Sequence, residues 1–387
     1  MKANRVFLLV VLFLAAACFV AGADAPMIGQ PGSLVEVYGL IDTGLRFSTE
    51  ADSLGNSYFG FSQGLFNGTR WGIRGTEDLG GVKAIYTFEG GIILPVGIFD
   101  QQNQILGRQA WVGVSSDYGT LTFGRQYGTF SDALGVGDVF GGGHGNVGYF
   151  NGVNYNGTDA VNFFFGSEMG FRWDQSVKYA ANFSGVTVGA MAMLGNLTNN
   201  FQYNTMFAGS IGYNAKGVPI TAAVGIQYES DTVPFHHLNV GGGLKYALDP
   251  TDGVYVFYFH SQFDSGFSMI NPNDSEFKAT ATTKGRIDDI GSVGVNYYVL
   301  PSLNLIGAYF LDYAQNVASS GDNGIRNSVL VTADYYFSKD FDAYIGGWVS
   351  LWGNALESSA NGGDVAASST NPVSSSISVM LGARFRF

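Results

Sequence analysis

The side chains best suited to chemistry are a set of arginines whose spacing places them on one side of their strands. In 70-RWGIR-74, Arg70 and Arg74 share a face with Gly72, while Trp71 and Ile73 take the other. Arg108 lies on the side of Ala110, opposite Trp111. Arg172 goes with Asp174, Ser176 and Lys178, opposite Trp173, Val177 and Tyr179. Arg125 is ambiguous, because alternation puts it with Phe123. A guanidinium is a permanent cation with a rigid fork of donors, so the chemistry on offer is the steering of anions. Other chemistries are weaker. The glycine-rich stretch 124-GRQYGTFSDALGVGDVFGGGHGN-146 lacks the GxxxxGK[ST] pattern and following helix of a phosphate loop. A metal centre would have to draw on His144, His236, His237 and His260, which are scattered, so neither metal nor cofactor is expected. No Ser/His/Asp set is placed together by alternation, so no enzyme is expected either.

Composition says what must hold these arginines. Of 387 residues only 13% are charged, against roughly 25% in a typical globular protein. There are 56 glycines, 9 prolines and 15% aromatic residues. That combination suggests many strands whose outer surface does not face water. The net charge of −12 is the reverse of a nucleic-acid footprint. Residues 1–23 read as an export signal: Lys2 and Arg5, then VFLLVVLFLAAACFVA, then small residues ending at Ala23. Cleavage there gives a mature chain beginning at Asp24. The one cysteine, Cys18, falls inside the leader, which excludes disulfides from the mature chain.

Beyond the leader there is no run of 18 apolar residues, but alternation recurs. In 325-IRNSVLVTADYYF-337, Ile325, Val329, Val331, Ala333, Tyr335 and Phe337 share one face. Arg326, Ser328, Thr332 and Asp334 share the other. Short turn signals (DLGG, SDYG, FSG, NAKG, DPTDG, LPS, SKD) alternate with long polar stretches, of which 48–66, 95–104 and 128–170 come first. Strands are expected to start near 34, 67, 82, 105, 119, 171, 186, 205, 218, 237, 253, 286, 302, 325, 341 and 376. An even number of short strands, each with one apolar face, and long loops at one end describe an all-β, 16-stranded antiparallel transmembrane β-barrel. Closure is required because lipid offers no partner to an open edge. A barrel of that size keeps an aqueous channel.

The stretches VEVYGLIDTG at the first strand, 70-RWGIRGTEDLGGVKAIYTFE-89, 107-GRQAWVGVSSDYGTLTFGRQYG-128, 172-RWDQSVKY-179 and the terminal SISVMLGARFRF resemble the Gram-negative general porins, in particular their β-proteobacterial and neisserial branch. The resemblance implies short periplasmic turns, long external loops and a third loop, about 128–170, that folds into the barrel of residues 24–387 and narrows it. It implies that Arg70, Arg74, Arg108 and Arg172 form a basic wall at the constriction, with Arg125 and Lys178 as further lumen cations. On the loop side it points to Asp132 and Asp138. The glutamate of a PEFGG segment is replaced here by VFGGG, which makes the loop less acidic. The implied function is a water-filled outer-membrane channel for passive passage of small hydrophilic solutes and ions, weakly anion-preferring. A homotrimer embedded in outer-membrane lipid, assembled through recognition of the strand ending at Phe387, completes the expectation. The alternative is a substrate-specific channel for an anionic or sugar-like solute, with Tyr38, Tyr149 and Tyr155 as candidate lumen aromatics.

Overall fold

A computed structural model of the chain describes residues 33–49, 56–140, 172–195, 204–230, 236–265, 285–316, 321–355 and 374–387. The leader, His144, Tyr149, Tyr155, loop acids such as Asp274 and Glu357, and most of the loop expected at 128–170 lie outside these. The described strands are β1 (Ser33–Ser48), β2 (Tyr58–Gln63), β3 (Arg70–Asp78), β4 (Lys83–Ile93), β5 (Ile98–Phe99), β6 (Gln109–Ser116), β7 (Gly119–Tyr127), β8 (Arg172–Phe183) and β9 (Val186–Met193). The second half adds β10 (Thr205–Asn214), β11 (Ile220–Ser230), β12 (His236–Ala247), β13 (Gly253–Phe263), β14 (Ile287–Leu300), β15 (Leu303–Gln315), β16 (Gly324–Tyr336), β17 (Phe341–Asn354) and β18 (Ser375–Arg386). Among the described residues two short helices, α1 (Asp100–Asn103) and α2 (Thr129–Gly135), interrupt the strands.

Neighbours in sequence pair antiparallel around a closed ring, and β18 returns to β1 from Leu40↔Arg386 to Ser48↔Ser378. β2 and β3 both pair with β1, one above the other, so together they make one stave broken at 64–69. β5 is a two-residue adjunct of β4. Counted this way the described residues form sixteen staves. The expected long loop at 48–66 is therefore shorter than anticipated, because Tyr58–Gln63 is already strand.

Exposure is inverted relative to a water-soluble protein. On β16, Val329 and Val331 are 49% and 59% exposed, whereas Ser328 and Thr332 are 0% and 5%. The apolar side of each stave thus faces outward, as a lipid-spanning barrel requires. The short turns sit where DLGG, SDYG and their counterparts predict. In one of them the exposed Asp249 accepts the amides of Asp252 and Thr251, each at 2.7 Å. Those bonds hold its carboxyl below the usual range.

The interior is less uniformly polar than alternation suggests. Phe257, Phe259, Ile290, Ile306, Phe310, Leu330, Trp348 and Met380 point inward and are buried. They join Leu65, Phe66, Phe130, Leu134 and Val139 in one cluster. An apolar inner surface is what a segment folded into the barrel needs in order to dock without stranding its own apolar side chains in water.

Candidate pore constriction

After β7 the chain turns at Gly128 and forms α2 inside the barrel, against the inner faces of β9 to β13. Seven residues are too few for a helix to persist by itself in water, so docking holds it. Phe130 and Leu134 have no exposed surface. The wall makes room with glycine. A Cβ on Gly243 would stand 2.4 Å from the amide nitrogen of Gly137, and one on Gly189 would meet Thr129 Oγ1 at 2.0 Å. Asp132 near the helix start pairs with Lys178 of β8 at 2.5 Å, and Lys178 also donates to the Tyr127 carbonyl at 3.0 Å. Asp138, beyond the helix, is 2% exposed and accepts the Phe140 amide at 3.1 Å.

Arg108 is buried, with Nε 2.8 Å from Glu89 Oε1 and Nη2 donating to the Tyr127 hydroxyl at 2.7 Å. Arg172 reaches the same hydroxyl at 3.4 Å, and its guanidinium stands 4.9 Å over the Tyr127 ring. Arg70 donates to the Gly68 carbonyl at 3.0 Å and lies within electrostatic reach of Arg108, Arg172 and Glu89. Three of the expected four wall arginines are thus gathered around one tyrosine and one glutamate. Arg74 stands at the edge of this group, 5.0 Å over the ring of Tyr38, whose hydroxyl bonds Glu89, and within electrostatic reach of Glu89 itself. Four residues along β3, roughly 13 Å at strand rise, Arg74 makes a bidentate pair with Glu36 at 2.8 Å and remains half-exposed.

Parity fails at β6, where Ala110 pairs with the exposed Phe88 and Trp111 with the buried Thr87, so Arg108, just before the strand, reaches Glu89 without sharing Ala110's face. It fails again between β7 and β8, with a visible cause. The β7–β8 register shifts between Gly124 and Gln126, and Gln175 sits at φ 49°. The bulge resets alternation on both strands. Arg125 therefore does not follow Phe123: it is buried, donating to the Gly107 carbonyl at 2.6 Å and pairing with Asp174 at 2.8 Å. Trp173, expected opposite Arg172, is instead buried with Met191, Met193, Met206 and Phe263.

The sequence pattern of the Gram-negative porins matches residues 10–347, nearly the whole chain. The chain belongs to this family. An outer membrane porin protein of Bordetella pertussis is 36% identical over 189 residues, covering 44% of this chain and 48% of that protein. Outer membrane porin protein 32 of Delftia acidovorans is 33% identical over 109 residues, 28% of this chain and 30% of that one. These matches span half or less of each relative's length. Among solved structures, the anion-selective porin from Comamonas acidovorans has a TM-score of 0.70 at 18% identity, covering 92% of this chain and all of that one. OmpT of Vibrio cholerae has a TM-score of 0.60 at 17% identity, over 94% of this chain and all of that one. The porin fold and the outer membrane as its location follow.

Two groups in this porin escaped the sequence reading. Glu89 receives Arg108 on one oxygen and the Tyr38 hydroxyl on the other at 2.9 Å, which makes it the acid closest to the basic cluster. It faces Gly72, between Arg70 and Arg74 on β3, so the strand register was the signal. The second is a carboxylate–imidazole–hydroxyl chain. His237 Nδ1 lies 3.2 Å from Glu229 and Nε2 lies 2.8 Å from Ser261 Oγ, so a Ser/His/Glu set does come together, contrary to expectation. All three are fully buried on adjacent strands with Phe263 stacked on the imidazole at 3.8 Å, so Ser261 is not open to a substrate. Among the described residues no group of three or more His, Cys, Asp or Glu could hold a metal ion.

Proposed function

We propose that this porin is a general diffusion channel of the outer membrane, water-filled and weakly anion-preferring, in which Arg70, Arg108 and Arg172 set the preference. The observation that carries the reading is the Arg108–Tyr127–Arg172 arrangement, with Arg70 in electrostatic reach and Glu89 as its near acid. Three cations against one anion leave a positive excess on a wall beside the segment 128–140. That segment's acids are occupied: Asp132 by Lys178, Asp138 by burial and the Phe140 amide. Residues 128–140, the described part of the loop expected at 128–170, line the constriction, and Arg74 and Arg125, each with its own carboxylate, contribute little to its field.

The mature chain begins at Asp24, works as a homotrimer, and is assembled through recognition of the β18 strand. Its structural likeness to an anion-selective porin, and to a trimeric form of OmpT, agrees with the anion preference and the homotrimer.

Reversal potentials of single channels in a salt gradient test the reading. Arg108→Gln and Arg172→Gln should each move the reversal potential toward cations, while Arg74→Gln should move it less. Unchanged selectivity in both Arg108→Gln and Arg172→Gln would remove the cluster from the filter.

A further inference from the structure

We propose that the break at 64–69 is a second inward segment, latching the far end of the constriction through Phe66, with Asp42, Tyr344 and Arg384 as positioning residues. The inference rests on reading 128–140 as the constriction.

The break is built. Asp42, on the inner face of β1, is fully buried, and its Oδ2 accepts the amides of Phe66 at 3.2 Å and Asn67 at 2.7 Å. The Tyr344 hydroxyl of β17 donates to Asp42 Oδ1 at 2.6 Å and accepts the Leu65 amide at 2.9 Å. Thr69 Oγ1 closes the segment, donating to the Asp42 carbonyl at 3.0 Å and accepting its amide at 2.9 Å. A buried carboxylate is tolerated when its lone pairs are used in this way. Arg384 of β18 donates to Asn67 Oδ1 at 3.1 Å and stands 4.3 Å over the Phe66 ring. It is itself fixed by Asp334 at 2.7 Å and Asp342 at 2.9 Å. The sequence leaves space for all this: a Cβ on Gly64 would fall 1.8 Å from Asp42 Cγ, and one on Gly346 would fall 2.4 Å from Leu65 Cδ2.

What the clamp presents is Phe66. Its ring meets Tyr344 edge-on at 4.8 Å and lies 6.1 Å from the ring of Phe140. Phe140 is tied through its amide to Asp138. Besides the hold on α2 by β9 to β13, the Asp132–Lys178 pair and the seat of Val139 against Gly294 of β14, the segment is held at Phe140 on the broken stave. Asp42 and Tyr344, which touch no permeating ion, act through Phe66 on where the loop stands.

The experiment uses the full-length protein in planar bilayers, with heat-sensitive oligomer migration as the check on assembly. Phe66→Ala and Phe140→Ala should each add open-channel noise and lower the anion-to-cation permeability ratio roughly twofold, the size expected when charges shift by several ångströms in water. The double variant should do no more than either single, because both remove one contact. Phe66→Leu should restore quiet channels, and Tyr344→Phe should reproduce the single-variant change. Additive effects, or silent channels in both singles, overturn the latch. If Phe66→Ala fails to assemble, Phe140→Ala and Tyr344→Phe carry the cycle, since neither is part of the break. Altered selectivity in Arg108→Gln with silent Phe66 and Phe140 variants would sink the latch alone. Silence in Arg108→Gln and Arg172→Gln would sink the constriction reading beneath it.

Discussion

At the scale of single residues, Glu89 is the counterweight in the basic cluster. Glu89→Gln removes one negative charge beside Arg70 and Arg108 and keeps an acceptor for Tyr38. The anion-to-cation permeability ratio should rise about twofold, since a unit charge about 8 Å from an ion is worth about 0.5 kcal/mol in bulk water and more in a confined pore. Glu36→Gln, whose partner Arg74 is half-exposed, should change the ratio less because water screens that pair. Equal responses in reversal-potential measurements would remove Glu89 from its special place. Parity was enough to find Arg70; the positions of Arg108, which precedes β6 and does not share the lipid-side face of Ala110, Val112 and Val114, and of Arg172, which lies beyond the β8 bulge, came from the family resemblance and not from parity. Parity could not show that Arg74 belongs to Glu36, which depends on β1 lying beside β3 in a particular register. Nor could it place Arg125 and Trp173, whose sides were exchanged by a bulge that depends on the positive φ of Gln175.

Among elements, the staves were the most legible part. A period of two with turn signals at fixed intervals set most strand starts within a residue or two, because lipid on one side and water on the other penalise any slip. The broken second stave was not legible: Phe59 and Phe61 carry the outward pattern in β2, but Ser-Gln-Gly-Leu-Phe-Asn reads as loop unless Asp42 and Tyr344 are known to lie beside it. The apolar inner cluster was hidden for a similar reason, since its purpose is to receive segments from elsewhere in the chain. Facing can be checked on β16. Val331→Arg places a cation in lipid and should cost roughly 2–4 kcal/mol near the midplane, read as lowered stability of the folded barrel against denaturant. Thr332→Arg points to the interior and should cost clearly less. Comparable losses would mean that β16 faces the other way.

For the whole molecule, total charge and filter charge have opposite signs. The chain carries −12 overall, yet in the proposed filter ions pass Arg70, Arg108 and Arg172 and would sample the local field and not the sum. That field is screened over about 10 Å at 0.1 M salt and about 3 Å at 1 M. The measured anion preference should therefore decline steadily as bath salt rises. A preference independent of salt would point to steric sorting. The ring closure has a temporal consequence of its own. Leu40 pairs with Arg386, and Gly39 exchanges backbone hydrogen bonds with Phe387 at 3.0 and 3.1 Å, so the seam joins strands from the two ends of the chain. Contacts so distant in sequence are slow to find one another. Until they do, β1 and β18 each present a row of unpaired amides and carbonyls that lipid cannot satisfy. The seam is therefore a commitment point: a chain cut short by even one stave yields no narrower channel, only a sheet with two open edges awaiting a partner.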